Sequence, residues 1–213
     1  MQTVRNGPTS LLLISFFSFI VIGVPGGALG VAWLPIQETF GLGLDSLGLL
    51  LTASTTGRLI TAFTSGRWIA RMGAGRFLLA GALLGGAGML GFALAPVWPL
   101  LLIAYFVFGS GSGVIDAGIN TFVAPRYSAS RMNWLHACFG IGLTIGPALV
   151  TAIVIDLGQN WRWVYALLCV AQAALAVAFA ATLNRWRLAE TARQADAAAS
   201  DVHIGDTLRL LMM

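Results

Sequence analysis

Six long apolar runs, each interrupted by few charges, dominate this sequence and limit what it can fold into. A helix needs about 20 apolar residues to cross the hydrocarbon core of a bilayer. The runs are apolar all round, whereas the strands of a membrane barrel would alternate polar and apolar residues. They therefore predict membrane-spanning helices at about Ser10–Pro35, Leu44–Gly66, Phe77–Ala95, Val97–Pro125, Asn133–Ile155 and Trp163–Leu183.

The charge content argues against the soluble classes of protein. Only 9% of the 213 residues are charged, against about 25% in a soluble domain, so we expect neither a soluble enzyme nor a nucleic-acid-binding protein. Cys138 and Cys169 lie in apolar runs, where cysteine behaves as a small hydrophobic residue. We expect an all-α polytopic membrane protein with no metal and no cofactor. Its six-helix bundle would cover residues 1–183, and a cytoplasmic linker or tail would cover 184–213.

The arginines indicate the orientation in the membrane. Ten arginines lie on one side of the predicted bundle, and the opposite side has only Arg162. Because cytoplasmic loops are enriched in basic residues, both termini are predicted to be cytoplasmic, most simply in a bacterial inner membrane. The net charge of +4 then requires no anionic partner other than phospholipid headgroups. The ten arginines on the predicted cytoplasmic side are Arg5, Arg67, Arg71, Arg76, Arg126, Arg131, Arg185, Arg187, Arg193 and Arg209.

Two charged residues lie deep inside apolar runs. Arg58 lies nine residues before Arg67, and Asp116 lies ten residues before Arg126, so each is roughly 13–15 Å from the same boundary. An isolated charge at such a depth costs at least about 2.5–3.5 kcal/mol. We therefore expect Arg58 and Asp116 to face inward and to be able to pair. Asp116 is the candidate proton or substrate site, and a static ion pair is the alternative.

Further polar and aromatic residues are candidates for the same pathway. Asn120 follows Asp116 by one helical turn, so the two share a face. Asn133 and His136 lie near the start of the fifth run, where His136 is either a proton relay or a boundary residue bonded to a loop carbonyl. The aromatic residues Trp33, Trp134 and Phe139 could stack on a sugar ring, although such residues are more often interface anchors or packing.

A Gly-rich run around Ser110 and Ser112 raises an enzymatic alternative. Six-span intramembrane serine proteases combine a serine in such a run with a histidine on another helix. Here the local order lacks the G-x-S-G arrangement, and His136 lies on the very next helix. We therefore do not expect proteolysis.

Small residues spaced four apart predict close contacts between helices. The spacing lets backbones approach where no hydrophobic effect drives association. Pro25 and Pro147 lie within runs and predict bends. The first and fourth runs both have Gly-rich middles and end at a proline, which suggests a 3+3 repeat. The spaced pairs are Gly23 with Gly27, Gly81 with Gly85, Gly109 with Gly113, and Gly142 with Gly146.

Two segments resemble motifs of the major facilitator superfamily. The segment from Gly66 to Arg76 is similar to its cytoplasmic signature G-x-L-x-D-R-x-G-R-R, with Ala70 in place of the acid. The segment Gly142–Pro147 is similar to the G-x-x-x-G-P core of its antiporter motif. The resemblance covers nearly the whole chain and implies the N-terminal six-helix half of a twelve-helix carrier, in which the signature forms a cytoplasmic gate. The residues that we assign to the signature are Gly66, Arg71, Gly73 and Arg76, the last of which lies one position beyond the final arginine of the pattern.

Within that superfamily, the chain is most similar to fucose permease-like sugar/proton symporters. Their fourth helix has an acid followed four residues later by Asn, matched by Asp116 and Asn120, and polar residues open their fifth helix. The acid that their first helix carries four residues before a proline is replaced by Val31. The resemblance implies proton-coupled uptake of a small polar solute such as a sugar, by alternating access, together with a C-terminal half or a second copy. Export of drug-like compounds by proton antiport, and a truncated membrane subunit that does not transport, are the alternatives.

Overall fold

The fold is a bundle of long helices. The computed structural model describes the backbone of residues 9–211 and the side chains of residues 9–192. In that part of the chain every regular element is helical, as expected. The helices are α1 (Thr9–Phe40), α2 (Asp45–Met72), α3 (Ala74–Leu94), α4 (Trp98–Val123), α5 (Ala129–Val150), which continues as a π-helical segment (Thr151–Asp156), and α6 (Arg162–Leu211).

Five of these helices are long and apolar enough to cross a membrane, and α2 is the exception. The reason lies in its composition, because its 28 residues include eight Ser or Thr residues and Arg58. The prediction of an all-α membrane protein is confirmed. The count of six spans and the 3+3 repeat remain predictions.

The largest differences from the predicted helix ends are extensions. The first helix continues past Pro35 to Phe40, and α2 continues past Gly66 to Met72. Both then end at a glycine with positive φ, Gly41 and Gly73, a conformation that glycine adopts without steric cost. A membrane boundary ends the apolar run but does not end the backbone hydrogen bonding. For the same reason α6 stays helical across Leu183, so the domain boundary placed there remains a prediction.

Contacts between helices establish their directions. The first and sixth helices are antiparallel, since Arg185 Nη1 donates to Ser10 Oγ at 3.3 Å and Trp161 Nε1 donates to Thr39 Oγ1 at 3.0 Å. In the same way α3 is antiparallel to α4 and α6, whereas α1 is parallel to α5 and α2 to α4. The contacts that fix these directions join Gly81 to Val114, Gly88 to Phe108, Gly75 to Trp186, Gly85 to Gln172, Gly23 to Gly142, Gly27 to Leu143, Gly109 to Ser54 and Gly113 to Arg58.

Successive helices therefore run in opposite directions, and one end of the bundle collects the start of α1, the α2–α3 turn and the α4–α5 loop. We call it the arginine-rich end, because Arg71, Arg76, Arg126, Arg131 and Arg185 lie there. This grouping agrees with the arginine pattern of the sequence.

Two apolar clusters form the core, one toward each end of the bundle. Away from the arginine-rich end, the rings of Phe92 and Tyr165 lie 4.2 Å apart. Toward the arginine-rich end, Phe122 and Trp186 lie 4.5 Å apart. These rings come from α3, α4 and α6, so those helices form the packed centre together with α1. By contrast, α2 and α5 lie at the edges, with three and five buried residues respectively.

Candidate functional site

A close contact between α2 and α4 positions the charged residues of the membrane interior. A Cβ added to Gly113 would lie 2.7 Å from the carbonyl oxygen of Arg58. A Cβ added to Gly57 or Gly109 would also collide with the backbone of the other helix. Only glycine permits this approach, which brings the Arg58 side chain beside the α4 residues that adjoin Gly113.

Arg58 binds a neutral partner on α4. Its Nη2 donates a hydrogen bond to Ser112 Oγ at 2.9 Å, and Ser112 is fully buried. The guanidinium carbon also lies 6.0 Å from the ring centre of Phe139 on α5, within the range of a cation–π contact. The half-buried Arg58 thus joins three helices, α2, α4 and α5, at one level of the bundle.

Asp116 has a neutral partner of its own. The Asn120 side-chain Nδ2 donates to Asp116 Oδ1 at 2.9 Å, one turn along α4. Among residues 9–192, no ion pair joins Arg58 to Asp116, so the expectation that they could pair is not met. The reason is the register of the contact, which places Arg58 opposite Gly113 and next to Ser112, one turn before Asp116.

The two candidate residues of α5 lie on the surface of the bundle. Asn133 and His136 are both exposed, and the His136 ring contacts Phe19 of α1 edge-on, with centroids 5.7 Å apart. Arg58 contacts both Ser112 on α4 and Phe139 on α5, so these two residues lie at about the same depth in the bundle. The two helices run in opposite directions. Moving one turn toward the arginine-rich end from there gives Asp116 on α4 and His136 on α5, at about the same depth.

The three aromatic residues that could stack on a ring have different environments. Trp33 is buried and lies 6.2 Å from Trp98, edge to face. Trp134 is 62% exposed, and Phe139 lies beside Arg58. Only Phe139 therefore lies next to a charged residue of the site.

The signature segment forms the α2–α3 turn at the arginine-rich end. Gly66 and Arg71 belong to α2, Gly73 makes the turn with φ of +78°, and Arg76 lies in the first turn of α3. Arg71 and Arg76 are exposed. The turn thus presents its arginines outward.

The glycines of the antiporter-like segment lie against α1. A Cβ on Gly142 would collide with the carbonyl of Ile20, and one on Gly146 with the backbone at Ala28. Pro147 lies inside α5, and Pro25 lies inside α1. These positions place the segment in the α1–α5 contact.

The contacts of two residues were not predicted from the sequence. Ser112, considered only as a protease nucleophile, is the hydrogen-bond partner of Arg58. Its position four residues before Asp116 was the available signal, because that spacing puts both on one helix face. Glu190 accepts a hydrogen bond from the backbone N–H of Ala74 at 2.8 Å. No local pattern indicates a contact between residues 116 positions apart.

Comparison with known proteins assigns the family. The sequence profile of the Major Facilitator Superfamily matches residues 11–205. The chain belongs to the Major Facilitator Superfamily. It is therefore an integral membrane protein of a transporter family, as the motifs predicted. Among curated protein sequences, none matches it significantly.

Solved structures of transporters share the fold of this superfamily member. A D-xylose-proton symporter superimposes with a TM-score of 0.66 at 16% identity, over 91% of this chain and 53% of the symporter. A peptide transporter POT in complex with sulfate gives 0.61 at 20% identity, over 99% of this chain and 48% of the transporter. This chain thus spans about half the length of the structures it matches. At these identities the similarity concerns the fold alone.

Proposed function

We propose that the chain is the N-terminal half of a secondary active transporter, which takes up a small polar solute such as a sugar together with protons. Transport would proceed by alternating access, in which two six-helix halves rock about a site between them. The missing half would be a C-terminal six-helix unit or a second copy of this chain. Membership of the superfamily supports the class of function, and the site on α2 and α4 supports the coupling.

One observation carries the proposal, namely that Asp116 and Arg58 each have a neutral partner instead of each other. A carboxylate fixed in an ion pair keeps its charge, because the adjacent cation stabilises the ionised form. Asp116 is bonded to the Asn120 amide, which leaves its charge uncompensated at a depth where charge is costly. We therefore assign the coupled proton to Asp116, whose contact on α4 is a neutral amide.

The remaining polar residues have roles that follow from their depth. His136 lies at about the level of Asp116 and would pass protons toward the arginine-rich end, with Asn133 further along the same helix. Arg58 would hold an acceptor group of the solute, since its guanidinium has five N–H donors and can serve Ser112 and a second acceptor together. Phe139 would supply an apolar surface beside it.

The test is uptake driven by a proton gradient in membrane vesicles that contain the protein together with its other half. D-xylose and short peptides are the first solutes to try, because the structural neighbours are a D-xylose-proton symporter and a peptide transporter. Asp116→Asn should abolish accumulation against a gradient but leave exchange of solute across the membrane. Asp116→Glu should restore part of the accumulation, and Glu38→Gln, an exposed acid at the opposite end of α1, is the matched control.

Full accumulation by Asp116→Asn would contradict the proton role of Asp116. A second candidate, export by proton antiport, is favoured by the antiporter-like segment in the α1–α5 contact. Outward movement of a lipophilic dye that depends on Asp116, without solute uptake, would support export instead. If neither movement occurs with the other half present, the chain is a subunit that does not transport.

The orientation forms part of the same proposal. The arginine-rich end would face the cytoplasm, in a bacterial inner membrane, because basic residues are retained on that side. Reporter domains fused before Thr9 and after Ala192 should both be active in the cytoplasm. A periplasmic reporter signal at either position would refute this topology.

A further inference from the structure

The start of α3 lacks a cap of its own. Gly73 makes the α2–α3 turn with φ of +78° and offers no side chain to the first backbone N–H groups of α3. The first four N–H groups of a helix have no partner within that helix. In most helices a Ser, Thr, Asp or Asn at the N-cap accepts one of them. Here the chain supplies no such residue at that position.

A carboxylate from another helix binds there. Glu190 Oε1, on α6, accepts the backbone N–H of Ala74 at 2.8 Å. Its second oxygen lies over the turn itself, since a Cβ on Gly73 would lie 3.0 Å from Oε2. A negative charge at this position also interacts favourably with the helix macrodipole. The carboxylate therefore caps a helix that lies 116 residues away in sequence.

The same turn lacks the acid of the superfamily signature, which Ala70 replaces. A cavity of about 260 Å³ lies at this point, and both Ala70 and Glu190 line it. A carboxylate on residue 70 would project into the cavity that the Glu190 carboxylate now occupies in part. Residues 70 and 190 thus both adjoin the α2–α3 turn, residue 70 from α2 and residue 190 from α6.

We propose that Glu190 replaces the missing signature acid, so that the cap of α3 is supplied from α6. The contact ties the α2–α3 turn to α6. At the same end, α6 is also bonded to the α4–α5 loop, where Arg126 Nη2 donates to the carbonyl of Ala189 at 3.4 Å. At the far end, Arg162 Nη1 donates to the carbonyl of Ala93 at 2.9 Å. Both ends of α3 are therefore bonded to side chains of α6, an anion at its N-terminus and a cation near its C-terminus.

The function of this tie is to couple the gate turn to α6. An acid at position 70 would belong to α2, so a cap from that position would stay with the turn if α6 moved. Here any displacement of α6 relative to α3 at the arginine-rich end breaks the cap. The turn is thus stabilised only while Glu190 is in place. This inference does not depend on which solute is transported.

The test measures amide hydrogen exchange of the purified full chain in detergent micelles, in the peptide that contains Ala74. Glu190→Ala should accelerate exchange at that amide about fivefold, the size of a typical cap loss. Glu190→Gln keeps a neutral acceptor and should have a smaller effect, which guards against failure of the alanine variant to fold. Glu38→Ala removes an exposed acid from the other end and should change nothing at Ala74.

The decisive variant combines Glu190→Ala with Ala70→Asp. If the two carboxylates serve the same turn, the added acid restores slow exchange at Ala74 and the thermal stability lost with Glu190. Unchanged exchange in both Glu190 variants would overturn the proposal. A double variant that exchanges as fast as Glu190→Ala alone would overturn the claim of replacement. Neither readout involves transport, so the outcome is separate from that of the proposed function.

Discussion

The second and third helices are consecutive in sequence, and their surroundings differ sharply. Three of the 28 residues of α2 are buried, whereas 11 of the 21 residues of α3 are buried. The third helix packs between α4 and α6, while α2 packs on α4 and leaves most of its surface uncovered. The bundle therefore has one side on which helices cover each other and another side on which α2 is largely uncovered. The candidate site lies between these two sides, where Arg58 of α2 contacts Ser112 of α4.

The largest difference in unfolding stability is expected between alanine variants of two phenylalanines, one on each helix. Phe92 of α3 is fully buried among Tyr105, Trp161 and Tyr165, so Phe92→Ala should cost about 3–5 kcal/mol of unfolding free energy. Phe63 of α2 is 87% exposed, and Phe63→Ala should change it by no more than about 0.5 kcal/mol. Unfolding of both variants in mixed micelles compares them. Equal losses would mean that α2 is as well packed as α3.

A second contrast compares a glycine of α3 with a glycine of α2. The expected loss of unfolding free energy is smaller than for the phenylalanines. A Cβ on Gly88 of α3 would lie 2.7 Å from the Cα of Phe108, so Gly88→Val forces α3 away from α4 and should cost about 1–3 kcal/mol. Gly48 of α2 has no atom within 4 Å of that position, and Gly48→Val should be tolerated. Thermal unfolding of the two variants measures the difference. A larger loss from Gly48→Val would reverse the assignment of the two helices.

The smallest expected effect concerns the contact between α2 and α4. Arg58 and Ser112 share one hydrogen bond across the α2–α4 contact, and a bond of this kind should couple their substitutions by about 1 kcal/mol. The measurement is a double-mutant cycle with Arg58→Met and Ser112→Ala. Arg58→Met alone should leave unfolding stability unchanged or higher, since it removes a costly charge, while solute movement is lost. Strictly additive effects would show that the bond contributes nothing.

The sequence predicted the elements well and their contacts only in part. Six apolar runs became six helices because length and all-round hydrophobicity are local properties. The ends of α1 and α2 lie at Gly41 and Gly73, whose positive φ depends on the turn and not on the polarity of the residues before it. The partner of Arg58 depends on which residue of α4 lies opposite, and that register comes from the fit of Gly113 against α2. Glu190 could not be foreseen, because its partner is a backbone group brought close only by the fold.

The proposed function requires that the Arg58 face of α2 line an aqueous pathway, because the solute would have to reach Arg58. Thr55 and Ala62 lie one turn on either side of Arg58 on that face, and both are exposed. Phe63 is equally uncovered but points well away from Arg58, given the turn of about 100° per residue. In a membrane hydrocarbon environment a thiol stays protonated and unreactive, whereas water lets it ionise and react.

The most direct measurement is labelling of single cysteines at these three positions by a membrane-impermeant maleimide, in native membranes. Cys138 and Cys169 are first replaced by alanine, since both are free thiols. We predict rapid labelling of Thr55→Cys and Ala62→Cys, and little labelling of Phe63→Cys. Labelling of Phe63→Cys with protection of the other two would contradict the account, because water would then lie on the opposite face of α2 from Arg58.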